Sequence, residues 1–438
     1  MLNTKEKIIS LTKEDLIEYY KKGCKKECDF KIGIEWEKIS LNKNTYKNAN
    51  YEDIKKIIEQ FALLNDWKIL KDNDVIIGAL NGKNSISLEP GGQFEISLEA
   101  EKDLKEISEK NEEIWGKLGS IAQKYDVIFA PIGLTPYSTY ENTEIVKKDR
   151  YLIMQNFFEN FGGKLYSVMM KETAGIQVNF DYKNEDDAML KLKTSIMVSP
   201  FSTGFFANSY IRNNKINGYK SYRANAWLDT DKKRCGIFYK NILKNNDAKF
   251  IDYIDSIIKV PMLFIERNNE KIIIKEEMTF EDFMQNGYKG HSANLNDYIL
   301  HSSLTFPDVR LKNYIEIRNH DSQKIDMVLA LCAFYKGIFS KRETMESVLS
   351  YLDFGYDTLK ELIINSAKFG LAYNYKGIDA FKVTKKLFKI AFDSLNNQED
   401  KILLLESLKM LENKTTIADI ALEKNISDTN KLIDYLLK

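Results

Sequence analysis

The sequence predicts an α+β fold, and three observations carry that reading. Residues 86–98 run Ile-Ser-Leu-Glu-Pro-Gly-Gly-Gln-Phe-Glu-Ile-Ser-Leu, two apolar alternations about a Pro90-Gly91-Gly92 turn. That is the pattern of two antiparallel strands. Other alternating stretches, at 30–41, 174–182 and 314–318, are separated by helical periodicity such as that of 101–124. From about 323 to 438 the pattern is almost wholly helical, with apolar residues at three- and four-residue spacing.

Taken in order, Thr-Lys-Glu-Asp at 12–15 starts a helix over 12–22 in the manner of a capping box, and 30–41 is a strand. A helix over 51–64 follows, then strands over 67–71, 74–78 and 84–89, the turn, and the helix 101–124. Residues 125–131 read as a short buried strand, and Gly133-Leu-Thr-Pro-Tyr as a loop. A helix begins near Asp149 with Arg150 in its first turn, where a cation opposes the helix dipole. Strands are expected over 165–171 and 174–182, and a helix over 184–198 ending before Pro200. The stretch 204–236 is a long polar loop with arginines, aromatics and asparagines, and Asn268-Asn269 turns a hairpin between 261–266 and 270–276.

Composition excludes several classes. Lys plus Arg and Asp plus Glu each number 64, which gives no electrostatic reason to expect nucleic acid or an anionic membrane as partner. No apolar run is long enough to span a bilayer, and Met-Leu-Asn-Thr-Lys-Glu-Lys lacks the apolar core of a signal peptide, so a cytosolic location is expected. Four cysteines, Cys24, Cys28, Cys235 and Cys332, are too scattered for a disulfide framework, and Cys24 and Cys28 have no second ligand pair for zinc. With only three histidines and no Gly-x-Ser-x-Gly, a Ser-His-Asp apparatus has little to draw on. Gly163-Lys164 has Phe158 where a P-loop needs glycine, so any nucleotide is bound without one.

The chemistry lies in the acidic strands. Glu89 ends one arm of the hairpin and Glu95 opens the other, while Glu35 and Glu37, two apart, share a strand face. Carboxylates held together need a counter-ion: they are either solvated surface residues or oxygen ligands for a divalent cation such as magnesium. Gln177, Asn179 and Asp181 share a face, either a half-exposed strand or the polar floor of a pocket. Glu316 and Arg318 also share one, either as a surface ion pair or as a metal ligand beside a phosphate-binding guanidinium.

Six blocks, in order, carry a resemblance. They are Gly-Ile-Glu-Trp-Glu at 33–37, Leu-Glu-Pro-Gly-Gly-Gln-Phe-Glu at 88–95, Gln-Val-Asn-Phe-Asp at 177–181, Phe-Ala-Asn-Ser at 206–209, Arg-Ala-Asn-Ala-Trp-Leu-Asp-Thr-Asp at 223–231 and Phe-Pro-Asp-Val-Arg-Leu-Lys-Asn-Tyr-Ile-Glu-Ile-Arg at 306–318. Together they resemble the plant-type glutamate-cysteine ligases, also found in bacteria. The resemblance implies a glutamine synthetase-like catalytic fold, a curved antiparallel saddle with flanking helices, over residues 1–340, with a helical C-terminal region over 341–438.

It also implies ATP and Mg²⁺ as cofactors, and L-glutamate and L-cysteine as substrates of a monomer or homodimer. ATP would convert the γ-carboxylate of glutamate to an acyl phosphate, which the amine of cysteine attacks. By the same resemblance Glu35, Glu37, Glu89, Glu95 and Glu316 are metal ligands, and Arg318 and Glu316 are catalytic. Arg150 and Arg223 grip glutamate, Trp227 forms a pocket wall, and Gln177, Asn179 and Arg318 lie near the nucleotide. The chain departs from the family at Trp36, where relatives commonly have His, and at Lys171-Glu-Thr-Ala-Gly175. The second departure leaves open another amine acceptor, and a non-catalytic sensor on the same fold is a further alternative.

Overall fold

Strand β1 (Ile32–Asn42) shows how the sequence builds the centre of the sheet. Ile34 and Trp36 are buried on one face, and Glu35 and Glu37 point to the other, because successive side chains alternate. The computed structural model describes residues 11–437 apart from 238, 246, 269 and 276. The N-terminal residues behind the cytosolic expectation, and Asn269 of the expected hairpin turn, lie outside the described residues.

The remaining sheet strands are β2 (Lys68–Asp72), β3 (Val75–Asn81), β4 (Asn84–Leu88), β5 (Phe94–Ser97), β6 (Val127–Ala130), β7 (Gly175–Phe180), β8 (Val309–Leu311) and β9 (Ile315–Asp321). Their order is β8-β9-β7-β1-β5-β4-β3-β2, and β6 pairs with the far end of β1. All these pairings are antiparallel. The expected curved saddle is corrected here. The sheet is an open ladder whose outer strands β8 and β2 do not pair, with register shifts only at Leu70/Lys71 and Ile317/His320. Curling or closing a sheet takes more frequent bulges or joined edges than these.

Helices Leu104–Ala122, Glu185–Phe205 and Ile325–Ile338 cover the apolar face. Helix Glu185–Phe205 is capped by Asn184 and runs through Pro200 instead of stopping before it. The Ser199 hydroxyl donates to the Ile196 carbonyl at 2.9 Å, filling the bond that the missing proline N–H leaves open. Residues 165–171 are also corrected: Tyr166–Glu172 is a helix with Val168, Met169 and Met170 buried. A short apolar run does not distinguish strand from helix by period, and methionine favours helix.

The long stretch 204–236 holds a helix, Tyr222–Leu228, whose start is capped by Ser221 accepting from Ala224 N–H. Strands Phe264–Arg267 and Glu270–Ile273 form the expected hairpin. One apolar core extends from Leu11 to Leu411, and a smaller one packs Ile39 and Leu41 of β1 against Leu432 and Ile433. No described helix is long and apolar enough to cross a membrane.

Candidate active site

Glu37 sits opposite Glu95 in the β1–β5 register, and Glu35 opposite Gln177 in the β1–β7 register, so the central strands bring carboxylates to one polar face. The hairpin turn delivers Glu89. Gly92, at φ +78°, closes that turn, its N–H donating to the Glu89 carbonyl. The Gln93 amide accepts from Gly91 N–H and donates to the carbonyls of Met170 and Thr173, which staples the turn to helix Tyr166–Glu172. A side chain at Gly91 would stand 2.3 Å from the Lys171 carbonyl oxygen, so glycine is required for that approach.

Each carboxylate has a holder. Asn179 Nδ2 donates to Glu35 at 2.9 Å, Gly175 N–H to Glu37 at 2.5 Å and Ser87 to Glu95 at 2.8 Å. The Tyr151 hydroxyl reaches Glu89 at 3.4 Å from its main bond to the Leu88 carbonyl. Burial and then the charge of Glu89 push the Glu37 carboxyl up to about 7. Burial and the charges of Glu89, Glu35 and Glu37 push Glu95 well above the usual range.

Facing them is a cationic wall. Arg150 donates to the hydroxyl and carbonyl of Ser303, and Arg223 to the Arg318 carbonyl at 3.0 Å. Trp227 packs on Phe306 with ring centres 5.4 Å apart. Arg318 donates to the Gln177 side chain and, at 3.0 Å, to Glu316. Glu316, fully buried, also accepts from Arg310 at 2.6 Å and Lys312 at 2.8 Å. Burial alone would raise its carboxyl, but Arg310, Arg318 and Lys312 outweigh that and hold it well below the usual range.

A cavity of about 330 Å³ lies between the walls. Glu35, Glu37, Glu89, Glu95, Gln177, Arg150, Arg223, Trp227 and Arg318 line it, as the sequence led one to expect of a single site. Glu316 and Asn179 do not line it: they grip residues that do. No three of the described His, Cys, Asp and Glu side chains are already gathered at metal-ligand spacing. The donor set still fits a hard divalent cation, because it is all oxygen and because two of its members are crowded by like charge.

Sequence reasoning missed Arg310, Lys312, Lys148 and Tyr151, which line the same cavity. Arg310 carried a signal, since alternation in Val309-Arg310-Leu311 sets it on the face opposite its two apolar neighbours. Trp36 points away from the cavity and donates to Ser322 at 3.2 Å. Of the divergent stretch, Thr173 lines the cavity, whereas Glu172 is buried in a two-bond pair with Arg212.

The family model described as glutamate-cysteine ligase family 2 (GCS2) matches residues 31–412. The chain belongs to the glutamate-cysteine ligase family. It is 36% identical over 343 residues to glutamate–cysteine ligase B, chloroplastic, of Oryza sativa subsp. japonica, covering 77% of this chain and 68% of that protein. It is 32% identical over 403 residues to glutamate–cysteine ligase, chloroplastic, of Arabidopsis thaliana, covering 90% and 76%.

Among solved structures, the Francisella tularensis glutamate–cysteine ligase in complex with AMP matches with a TM-score of 0.57 at 12% identity. The match covers 93% of this chain and 87% of that one, a likeness of fold. The family match continues to residue 412, well past 318, where the last of the six motif blocks stops. The cytosolic expectation is corrected by these comparisons, because the plant relatives are chloroplastic by name.

Proposed function

We propose that this cavity is where the family's reaction takes place: ATP-dependent ligation of L-glutamate to L-cysteine, giving γ-glutamylcysteine. The observation that carries the reading is one cavity with carboxylates on one wall and arginines on the other. Such polarity suits a phosphoryl transfer between anions, in which gathered negative charge must be offset on every side.

Glu35, Glu37, Glu89 and Glu95 would hold Mg²⁺, whose chemistry is to neutralise phosphate oxygens. Asn179 fixes the direction of Glu35, and Gln177 fixes that of Arg318 beside the nucleotide. Arg318 faces the phosphate in transit. Glu316 is the anchor that aligns Arg310, Lys312 and Arg318, and in that role acts on the reaction through them. Arg150 and Arg223 bind the carboxylates of glutamate against Trp227. Once the γ-carboxylate carries phosphate, the neutral amine of cysteine attacks that carbon, phosphate departs, and the amine gives up a proton.

The test is to incubate the protein with ATP, magnesium and glutamate, add single amines, and follow phosphate release. Release with cysteine alone is expected. Release with a different amine instead, or with none, overturns the reading. Glu89→Gln should abolish turnover with the fold intact, and Arg223→Ala should raise the apparent KM for glutamate about a hundredfold, the loss of a charged hydrogen-bonded pair.

A further inference from the structure

A second, much smaller chamber of about 30 Å³ shares Arg223, Trp227, Phe306 and Arg318 with the main cavity and adds Asp308 and Asn319. It is rich in polar groups without partners. Among the described residues, buried Arg223 Nε and Trp227 Nε1 find no acceptor, and buried Asn319 Oδ1 finds no donor. The hydrogen bonds of Asp308 run through its backbone, to the Gly236 carbonyl and from Arg318 N–H, so its carboxylate faces the charges of Arg223 and Arg318 with no side-chain hydrogen bond of its own among the described residues. Buried polar groups are normally satisfied, so several orphans of both kinds around one small space point to a ligand that supplies the complements.

Those complements are an acceptor anion for Arg223 Nε and Trp227 Nε1, and a cationic donor for Asp308 and Asn319. An α-amino acid presents this pair at one end of its skeleton. The chamber has room for one group the size of an ammonium, so the rest of the molecule stays in the main cavity among the glutamates. Resting on the function proposed above, two amino acids could place an ammonium here. The amine of cysteine must be neutral to attack, and an aspartate partner would keep it protonated. Glutamate has the opposite need, since an ammonium has no lone pair with which to attack its own activated γ-carboxyl.

We propose that Asp308, with Asn319 Oδ1, binds the α-ammonium of glutamate while Arg223 takes its α-carboxylate, which makes Asp308 the residue that selects an α-amino acid over a plain dicarboxylate.

The test compares kcat/KM for L-glutamate and for glutarate, which lacks only the amine, at saturating ATP, magnesium and cysteine. Wild type should favour glutamate by about a hundredfold or more, as expected where a buried charged group would otherwise be left unpaired. Asp308→Asn should bring that ratio to within about tenfold of unity, mainly through the KM for glutamate, with the KM for cysteine unchanged. Should the amide disturb folding, Asp308→Ser reads out the same ratio. Retained discrimination in a folded variant, or a loss that falls on cysteine, overturns the assignment. A wild type that does not turn over glutamate defeats the proposed function itself, a different result.

Discussion

Replacing Glu37 by Gln should stabilise the protein in the absence of divalent cations, and should do so in a pH-dependent way. Burial and the neighbouring Glu89 raise the Glu37 carboxyl from 4.5 to about 7, so between those values the folded state binds more protons than the unfolded chain. Stability is therefore lost as pH rises through that window and stays low above it. At about 1.4 kcal/mol per pH unit the cost approaches about 3.5 kcal/mol, and partial solvent access to the side chain reduces it to about 2 kcal/mol. Glu37→Gln keeps an oxygen for the Gly175 N–H and removes the charge. Urea unfolding with a chelator present should show the variant about 2 kcal/mol more stable than wild type at pH 8 and equal to it at pH 4.5. Millimolar Mg²⁺ should stabilise wild type more than the variant, because a ligand that binds only the folded state shifts the equilibrium toward it. A variant no more stable than wild type at pH 8 would refute the claim that charge crowding at this wall opposes folding.

Three further outcomes follow from particular contacts. Glu172 is fully buried and accepts from Arg212 at 2.6 and 2.7 Å and from Tyr140 N–H, so Glu172→Ala should cost about 3–5 kcal/mol in a denaturation measurement. A loss below 1 kcal/mol would show that the pair is replaceable. Lys38 lies 4.0 Å from the ring centres of both Trp36 and Trp115, and burial lowers its amine to about 7. Above that value the unfolded chain binds the extra proton, so wild type should gain stability relative to Lys38→Met as pH rises from 7 to 10, and a pH-independent difference would count against it. Gly91→Ala would push a methyl to 2.3 Å from the Lys171 carbonyl oxygen and lift the Glu89 turn off its helix. Turnover should fall at least tenfold, and unchanged kinetics would detach that turn from the site.

Much of the site was legible because β-structure has the shortest period in proteins. Alternation alone put Glu35 with Glu37, and a Pro-Gly-Gly turn set Glu89 near Glu95, since a hairpin brings its ends together whatever the rest of the chain does. Alternation cannot say which strand lies beside which. The neighbours that matter here, β7 between β1 and β9, join residues more than a hundred positions apart. The short run at 165–171 failed for a related reason: five apolar residues in seven satisfy either period, and the choice fell to packing. Sheet shape was also beyond reach, since an open ladder and a curled one can share every alternating strand.

Glu316 shows where pairing changes a residue's role. Within its own strand its evident partner is Arg318, and a carboxylate beside a guanidinium suits metal binding and ion pairing alike. The β8–β9 register sets Arg310 directly across from it, and Lys312 reaches the same carboxylate. One buried negative charge then holds three positive ones, a local surplus of positive charge that also attracts Glu35 and Asp308. That surplus borders a cavity whose opposite wall is crowded with carboxylates. Each wall carries charge it does not neutralise itself, and a phosphate with its counter-cation complements both at once.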